Sequence, residues 1–174
     1  MDKERVIIYI DGSNFYHLTP PGFKVDFARL AKSLMVGQYL VRTYYYNASR
    51  QDGSETYKNS QRFFDYLGHL QDFKVKLGRL ESRGTNADGI PILVEKGIDT
   101  QIVVDMLLGA VRNTYDVAIL LSGDADFGGA VEAVKEMGKK VYVAHFRGVN
   151  GVARALIDVA DRDIIIDETE VAKQ

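Results

Sequence analysis

Apolar residues in this chain come in short runs, and the runs are separated by stretches of helical spacing. Arg5-Val6-Ile7-Ile8-Tyr9-Ile10 is β-prone and apolar from Val6 on, as a central parallel strand buried on both faces requires. Residues 39–46 read as a second strand, and Val117-Ala118-Ile119-Leu120-Leu121 as another buried one. Phe27, Leu30, Ala31 and Leu34 recur at helical spacing behind Asp26, an N-cap candidate. Tyr57, Phe63, Phe64, Leu67 and Leu70 mark an amphipathic helix over 56–71. Residues 73–80 alternate apolar and basic, which predicts a strand near a sheet edge with Lys74 and Lys76 on one face.

Farther on, residues 82–89 are rich in Gly, Asn and Asp and are expected as a loop, with 90–94 pairing back as a hairpin. A helix follows to about Asn113. Asp99, Ile102, Val103, Met106 and Ala110 share its inward stripe, and Asp105 falls on another face, as a solvent-facing or salt-bridging acid. Ala130, Val131, Val134 and Met137 form the inner stripe of the next helix, closed by Gly138. A strand over 141–146, a short helix around 152–159 and a last strand at 164–166 complete the pattern. Polar turns are expected at 11–14, 50–54 and 147–151, and a solvated acidic tail over 161–170. Strands alternating with helices predict an α/β protein, a mainly parallel sheet with helices on both faces. Without a repeat or a linker, one domain over 1–174, with its core at about 5–167, is expected.

Composition narrows the chemistry. The chain has no Cys, which excludes disulfides and thiolate metal sites and suits a reducing, cytoplasmic setting. The first residues lead straight into a strand without a signal-peptide pattern, and no apolar run is long enough to span a bilayer, so no membrane partner is expected. The formal net charge of -2 gives no global basic field, so any contact with nucleic acid must rest on a local patch or on metal ions.

Acids stand where an open α/β sheet builds its sites, just past the carboxyl ends of strands. Asp11 follows the first strand. Asp124 and Asp126 follow Leu121-Ser122-Gly123, and Asp99 opens the helix whose N-terminus lies over the same edge. For any one of them, helix capping or a turn is the simpler role. Together, unpaired carboxylates repel and call for a shared hard cation; oxygen ligands without Cys or a nearby His favour Mg²⁺ or Mn²⁺ over Zn²⁺. Such ions activate water and stabilise both oxygens of a phosphodiester displacement. Rival sites lack their marks: Asp11-Gly12-Ser13-Asn14 stands where G-x-G-x-x-G would, no P-loop is present, and Ser13 occupies the place of an aspartyl phosphatase's second acid.

Three segments, Ile10-Asp11-Gly12-Ser13-Asn14-Phe15, Lys96-Gly97-Ile98-Asp99 and Leu121-Ser122-Gly123-Asp124-Ala125-Asp126-Phe127, resemble the NYN domain in its bacterial LabA-like branch, within the PIN-like nucleases. The resemblance covers residues 6–166, with the motifs in the family's order. It implies a three-layer α/β/α sandwich of PIN-like, Rossmann-like type and Mg²⁺- or Mn²⁺-dependent cleavage of RNA, single-stranded for preference. Asp11, Asp99, Asp124 and Asp126 match the acidic, metal-holding positions, and Asn14 their polar companion. Ser13, Lys96 and Ser122 are then expected at the substrate, with Lys96 offsetting phosphate charge. The alternatives are a catalytically silent RNA- or nucleotide-binding regulatory module, and a metal-dependent phosphatase on a small ester. The aromatic helix at Phe63-Phe64 serves either a homodimer interface or the core.

Overall fold

The computed structural model describes residues 3–35, 37–49, 54–89, 91–148 and 151–173. All but Ser54 of the turn expected at 50–54, the middle of that at 147–151, and Ile90 lie outside the described residues. Strands β1 (Arg5–Asp11), β2 (Tyr39–Ser49), β3 (Phe73–Thr85), β4 (Pro91–Lys96), β5 (Val117–Leu121), β6 (Lys140–Phe146) and β7 (Arg162–Ile166) form one sheet in the order β4-β3-β2-β1-β5-β6-β7. Among the described strands only the β3–β4 pairing is antiparallel. The chain winds outward from β1 to β3 and then returns to the other side of β1 at β5. That reversal makes the carboxyl ends of β1 and β5 the switch point of a doubly wound sheet, the place where such folds build their sites.

The alternation along β1 explains the layers. Val6, Ile8 and Ile10 enter one core, with Phe15, Phe27, Leu30, Phe64, Leu67 and Val171 from α1 (Gly12–His17), α2 (Phe27–Ser33), α3 (Glu55–His69) and α7 (Glu168–Val171). Ile7 and Tyr9 enter the other, with Ile102, Met106, Val131, Val134 and Leu156 from α4 (Ile98–Val111), α5 (Gly128–Glu136) and α6 (Arg154–Val159). Both faces of the strand are therefore apolar, and the sheet lies between two helical layers as expected. Truncating Ile8, fully buried, to Ala would cost about 2–5 kcal/mol.

Five expectations are corrected. The turn at 11–14 is the start of α1, because the Asp11 carboxylate caps it by accepting from Asn14 N–H. The loop expected at 82–89 begins only after Thr85: β3 continues, pairing Leu80 with Glu95 and Ser82 with Leu93, and shifts register before Thr85 where Gly84 takes φ +97°. Beyond Arg79 this ribbon has no β2 partner, so it overhangs the sheet exposed on both faces and shows no burial period. On α4 the buried stripe is Ile98, Ile102, Met106 and Ala110, and Asp99, in the first turn beside it, is exposed; at the end of α5, Met137 is exposed. The acidic tail is docked: Val171 is fully buried, and its carbonyl accepts from Asp26 N–H.

Candidate active site

Position 11 continues the side of β1 that carries Ile7 and Tyr9, so its carboxylate faces the α4 layer. Asp11 is only 5% exposed. Its Oδ1 accepts from Asn14 N–H at 3.2 Å and its Oδ2 from the Ser122 hydroxyl at 3.1 Å. The buried Ser122 hydroxyl also accepts from Asp124 N–H at 3.3 Å, and Asn14 Oδ1 accepts from Gly123 N–H at 2.7 Å. The ends of β1 and β5 are thus laced together by side chains of the two turns. Gly123 permits the lacing: a Cβ there would lie 2.5 Å from the Gly151 carbonyl and 2.9 Å from Val152 Cα.

Asp124 caps a single 3₁₀ turn, Ala125–Phe127, through Oδ1 and Asp126 N–H at 2.9 Å, and the buried Phe127 anchors that turn. Asp124 is left half-buried and Asp126 exposed. Asp99 arrives from the opposite flank. Gly97, at φ +80°, turns the chain from β4 into α4. Ile98 then packs over Gly78, where a Cβ would meet Ile98 Cδ1 at 2.6 Å, so the first turn of α4 sits over the sheet's carboxyl edge. Asp99 is exposed at its surface but partly desolvated; that desolvation first, then the charges of Asp124 and Asp126, raise its carboxyl above the ordinary value. These three acids share one electrostatic neighbourhood, and among the described residues none of them joins an ion pair.

Asp105, two turns along α4, is outside this group and is the salt-bridging acid of the two roles expected for it. Its Oδ2 accepts from Lys76 Nζ and, at 2.8 Å, from the Tyr46 hydroxyl. Lys96 lies at the foot of the hairpin, its Nζ 2.7 Å from Glu81 Oε2 rather than on the aspartates. Ser13 faces a cavity on the other side of the sheet.

Among the described residues no three acids or histidines stand close enough to hold a metal ion as placed. The donor chemistry still fits a hard divalent cation: carboxylates alone, no thiolate, and one acid whose ionisation is opposed by its acidic neighbours. Asp11, Asp99, Asp124 and Asp126 are the residues that would hold it.

Sequence reasoning missed a concave feature. A cavity of about 700 Å³ opens between α1, the end of β2 and α3. The aromatic helix expected for a core or a dimer supplies one wall: Phe64 is buried, while Phe63 packs half-buried beside Phe27 and Tyr45. An available signal was Tyr16, an aromatic two residues after Asn14 at no core position, and it is 76% exposed.

The NYN domain family model matches residues 5–167. The chain is 28% identical over 167 residues to the low amplitude and bright protein LabA of Synechococcus elongatus, a match covering 94% of this chain and 84% of LabA. The crystal structure of a protein of unknown function from Vibrio parahaemolyticus superposes with a TM-score of 0.74 at 24% identity, covering 98% of this chain and 97% of that one.

Proposed function

The chain belongs to the NYN domain family, whose fold is that of the PIN-like nucleases, and from that premise we propose that it is a metal-dependent ribonuclease. The observation that supports the reading is the electrostatic coupling of Asp99 to Asp124 and Asp126, its carboxyl raised by desolvation and then by their charges, with Asp11 at the neighbouring end of β1. Asp99, Asp124 and Asp126 join no ion pair among the described residues, and their charge at the sheet's carboxyl edge favours a cation there. Bound Mg²⁺ or Mn²⁺ would supply a Lewis acid and a more acidic water for phosphodiester hydrolysis.

The chain's own groups divide the remaining work. Asp11, fixed by Asn14 N–H and the Ser122 hydroxyl, is the rigid ligand. Asp124 and Asp99 close the site from the β5 turn and from α4, and the exposed Asp126 is free to receive a proton from water. Asn14 positions the two turns through Gly123 N–H, keeping its amide NH₂ for a phosphate oxygen. Ser122 is a positioning residue, since its buried hydroxyl already bridges Asp11 and Asp124. Lys96 reaches a phosphate only by leaving Glu81, a partner exposed enough to release it.

Cleavage of labelled single-stranded RNA in Mn²⁺ or Mg²⁺, beside Asp124→Asn and a chelator control, tests this reading. Activity lost in both controls is the expected result; equal cleavage by Asp124→Asn would overturn it. A second reading, an RNA-binding regulatory module without turnover, draws on the absence among the described residues of a ready-made metal cage. RNA binding without cleavage in either metal would favour it.

A further inference from the structure

The cavity beside α1 has no part in the acid cluster. Tyr45 and Phe27 at its floor belong to the core under α2 and α3, whereas Asp11 continues the row of Ile7 and Tyr9 toward α4. Cavity and acids therefore lie on opposite faces of the sheet, and both reach its carboxyl edge. Gly12 joins them in sequence: it follows Asp11 directly, is buried, and lines the cavity. A Cβ on Gly12 would lie 2.6 Å from Tyr45 Cζ, from the Tyr45 hydroxyl oxygen and from the Tyr46 carbonyl oxygen, so only glycine lets α1 start this close to β2.

The lining is selective in chemistry. The chain holds 24 Asp and Glu and a net charge of -2, yet among the described residues no acid lines the cavity, while Lys24 and Lys173 do. Phe23, Phe63 and Phe64 supply apolar and aromatic walls, and Tyr16 stands exposed at the rim. Asn47 and Asn59 each bring an amide that both donates and accepts, the complement of a nucleobase edge. The volume, about 700 Å³, lies within the range of small-ligand sites. An aromatic, hydrogen-bonding, anionic ligand meets all of these features.

We propose that this cavity takes one base of a single-stranded RNA whose backbone crosses the carboxyl edge over the first turn of α1, at Ser13 and Asn14, to the aspartates. The base stacks against the aromatic wall, Asn47 and Asn59 read its edge, and the two lysines face the flanking phosphates. The proposal rests on the ribonuclease reading for the direction of the strand, but the cavity's occupancy is measurable without turnover.

The test uses the full chain in chelator, with a fluorescently labelled single-stranded octaribonucleotide, and reads anisotropy and ultraviolet crosslinking. Tyr16→Ala removes an exposed ring, and Ser60→Phe fills the cavity from α3; circular dichroism and melting report whether each folds. Each is expected to weaken binding on the order of tenfold, and crosslinks in the parent are expected on residues 12–17 or 56–64. Parent-like binding by both folded variants, or crosslinks confined to the β3–β4 hairpin, would overturn the proposal. Equal affinity for a mononucleotide and the octamer would also overturn it, pointing to a small-nucleotide site. Binding that depends on the cavity in a protein that cleaves nothing would sink the ribonuclease reading alone and leave the base site standing.

Discussion

Helix α4 carries two acids in contrasting settings. Asp105, in the middle of the helix, meets a lysine and a tyrosine hydroxyl, and Lys76 also lies 4.7 Å from the Tyr44 ring centroid. Asp99, in the first turn, faces Asp124 and Asp126 and has no ion pair among the described residues. The neutralised acid ties α4 to β2 and β3 and needs nothing further. The other holds charge that the fold leaves unbalanced, and such charge is stabilised only by something arriving from solution. Partnership, rather than mere position on a helix, separates the structural acid from the candidate ligand.

The contrast breaks most visibly in activity. Asp124→Asn should lower RNA cleavage by more than the roughly 10–100-fold that loss of an outer partner costs, whereas Asp105→Asn should leave the turnover of folded protein near that of the parent; steady-state cleavage rates compare them. Next in size is a thermal shift. Mg²⁺ or Mn²⁺ at a hundredfold excess over its dissociation constant should add about 2.7 kcal/mol to the parent, roughly 5–10 °C in melting temperature for a chain of this size. Asp99→Asn combined with Asp124→Asn should abolish that rise, and calorimetry with and without chelator reads it. Lys76→Met leaves the Asp105 carboxylate and the Tyr46 hydroxyl to each other in a half-buried place. It should destabilise by about 1–3 kcal/mol, visible as a lower urea midpoint with an unchanged slope.

The smallest effect has the opposite sign. In chelator, Asp99→Asn should be neutral or raise the melting temperature by a degree or two, since it relieves repulsion instead of breaking a bond. The pH dependence follows from the same shift. Asp99 binds its proton more tightly in the folded state, so its contribution falls as pH rises from the ordinary carboxylate range through its raised value, and stays lower above it. Asp116 behaves in reverse. Hydrogen bonds from Arg5 hold it at about 2, so its contribution is full above the ordinary range and is lost as pH falls toward 2. Melting curves from pH 2 to 7 should flatten at the acid end in Asp116→Asn and lose their decline above about pH 4 in Asp99→Asn.

Much of the frame was legible because the chain writes its buried strands as unbroken apolar runs. Residues 6–10 and 117–121 are buried on both faces, and nothing but a central strand needs five such residues together. The acids were legible as candidates because they follow those runs. Whether each has a partner was not: Lys76 meets Asp105 from 29 residues away, and Ser122 meets Asp11 across 111. Residues 82–85 were misread because a ribbon exposed on both faces carries no hydrophobic period, and Gly84 and Ser82 look like loop residues. The cavity was invisible for a related reason. Its walls come from α1, β2, α3 and the last residues of the chain, and each aromatic reads by itself as core.

The single antiparallel strand also makes the molecule adjustable. Since β4 runs back along β3, its foot is set by the pairing of Lys96 with Arg79 at the rim of the sheet, three residues before Asp99. Register at the foot does not depend on how far the ribbon extends before it turns. Residues added in facing pairs near the tip, or removed from it, would change the reach of the overhang without moving the acid that follows its root. A lineage could therefore vary the length of this arm, and with it whatever the arm brushes against, while keeping the chemistry at the sheet's edge constant. An engineer could graft a recognition loop at residues 86–89 on the same grounds.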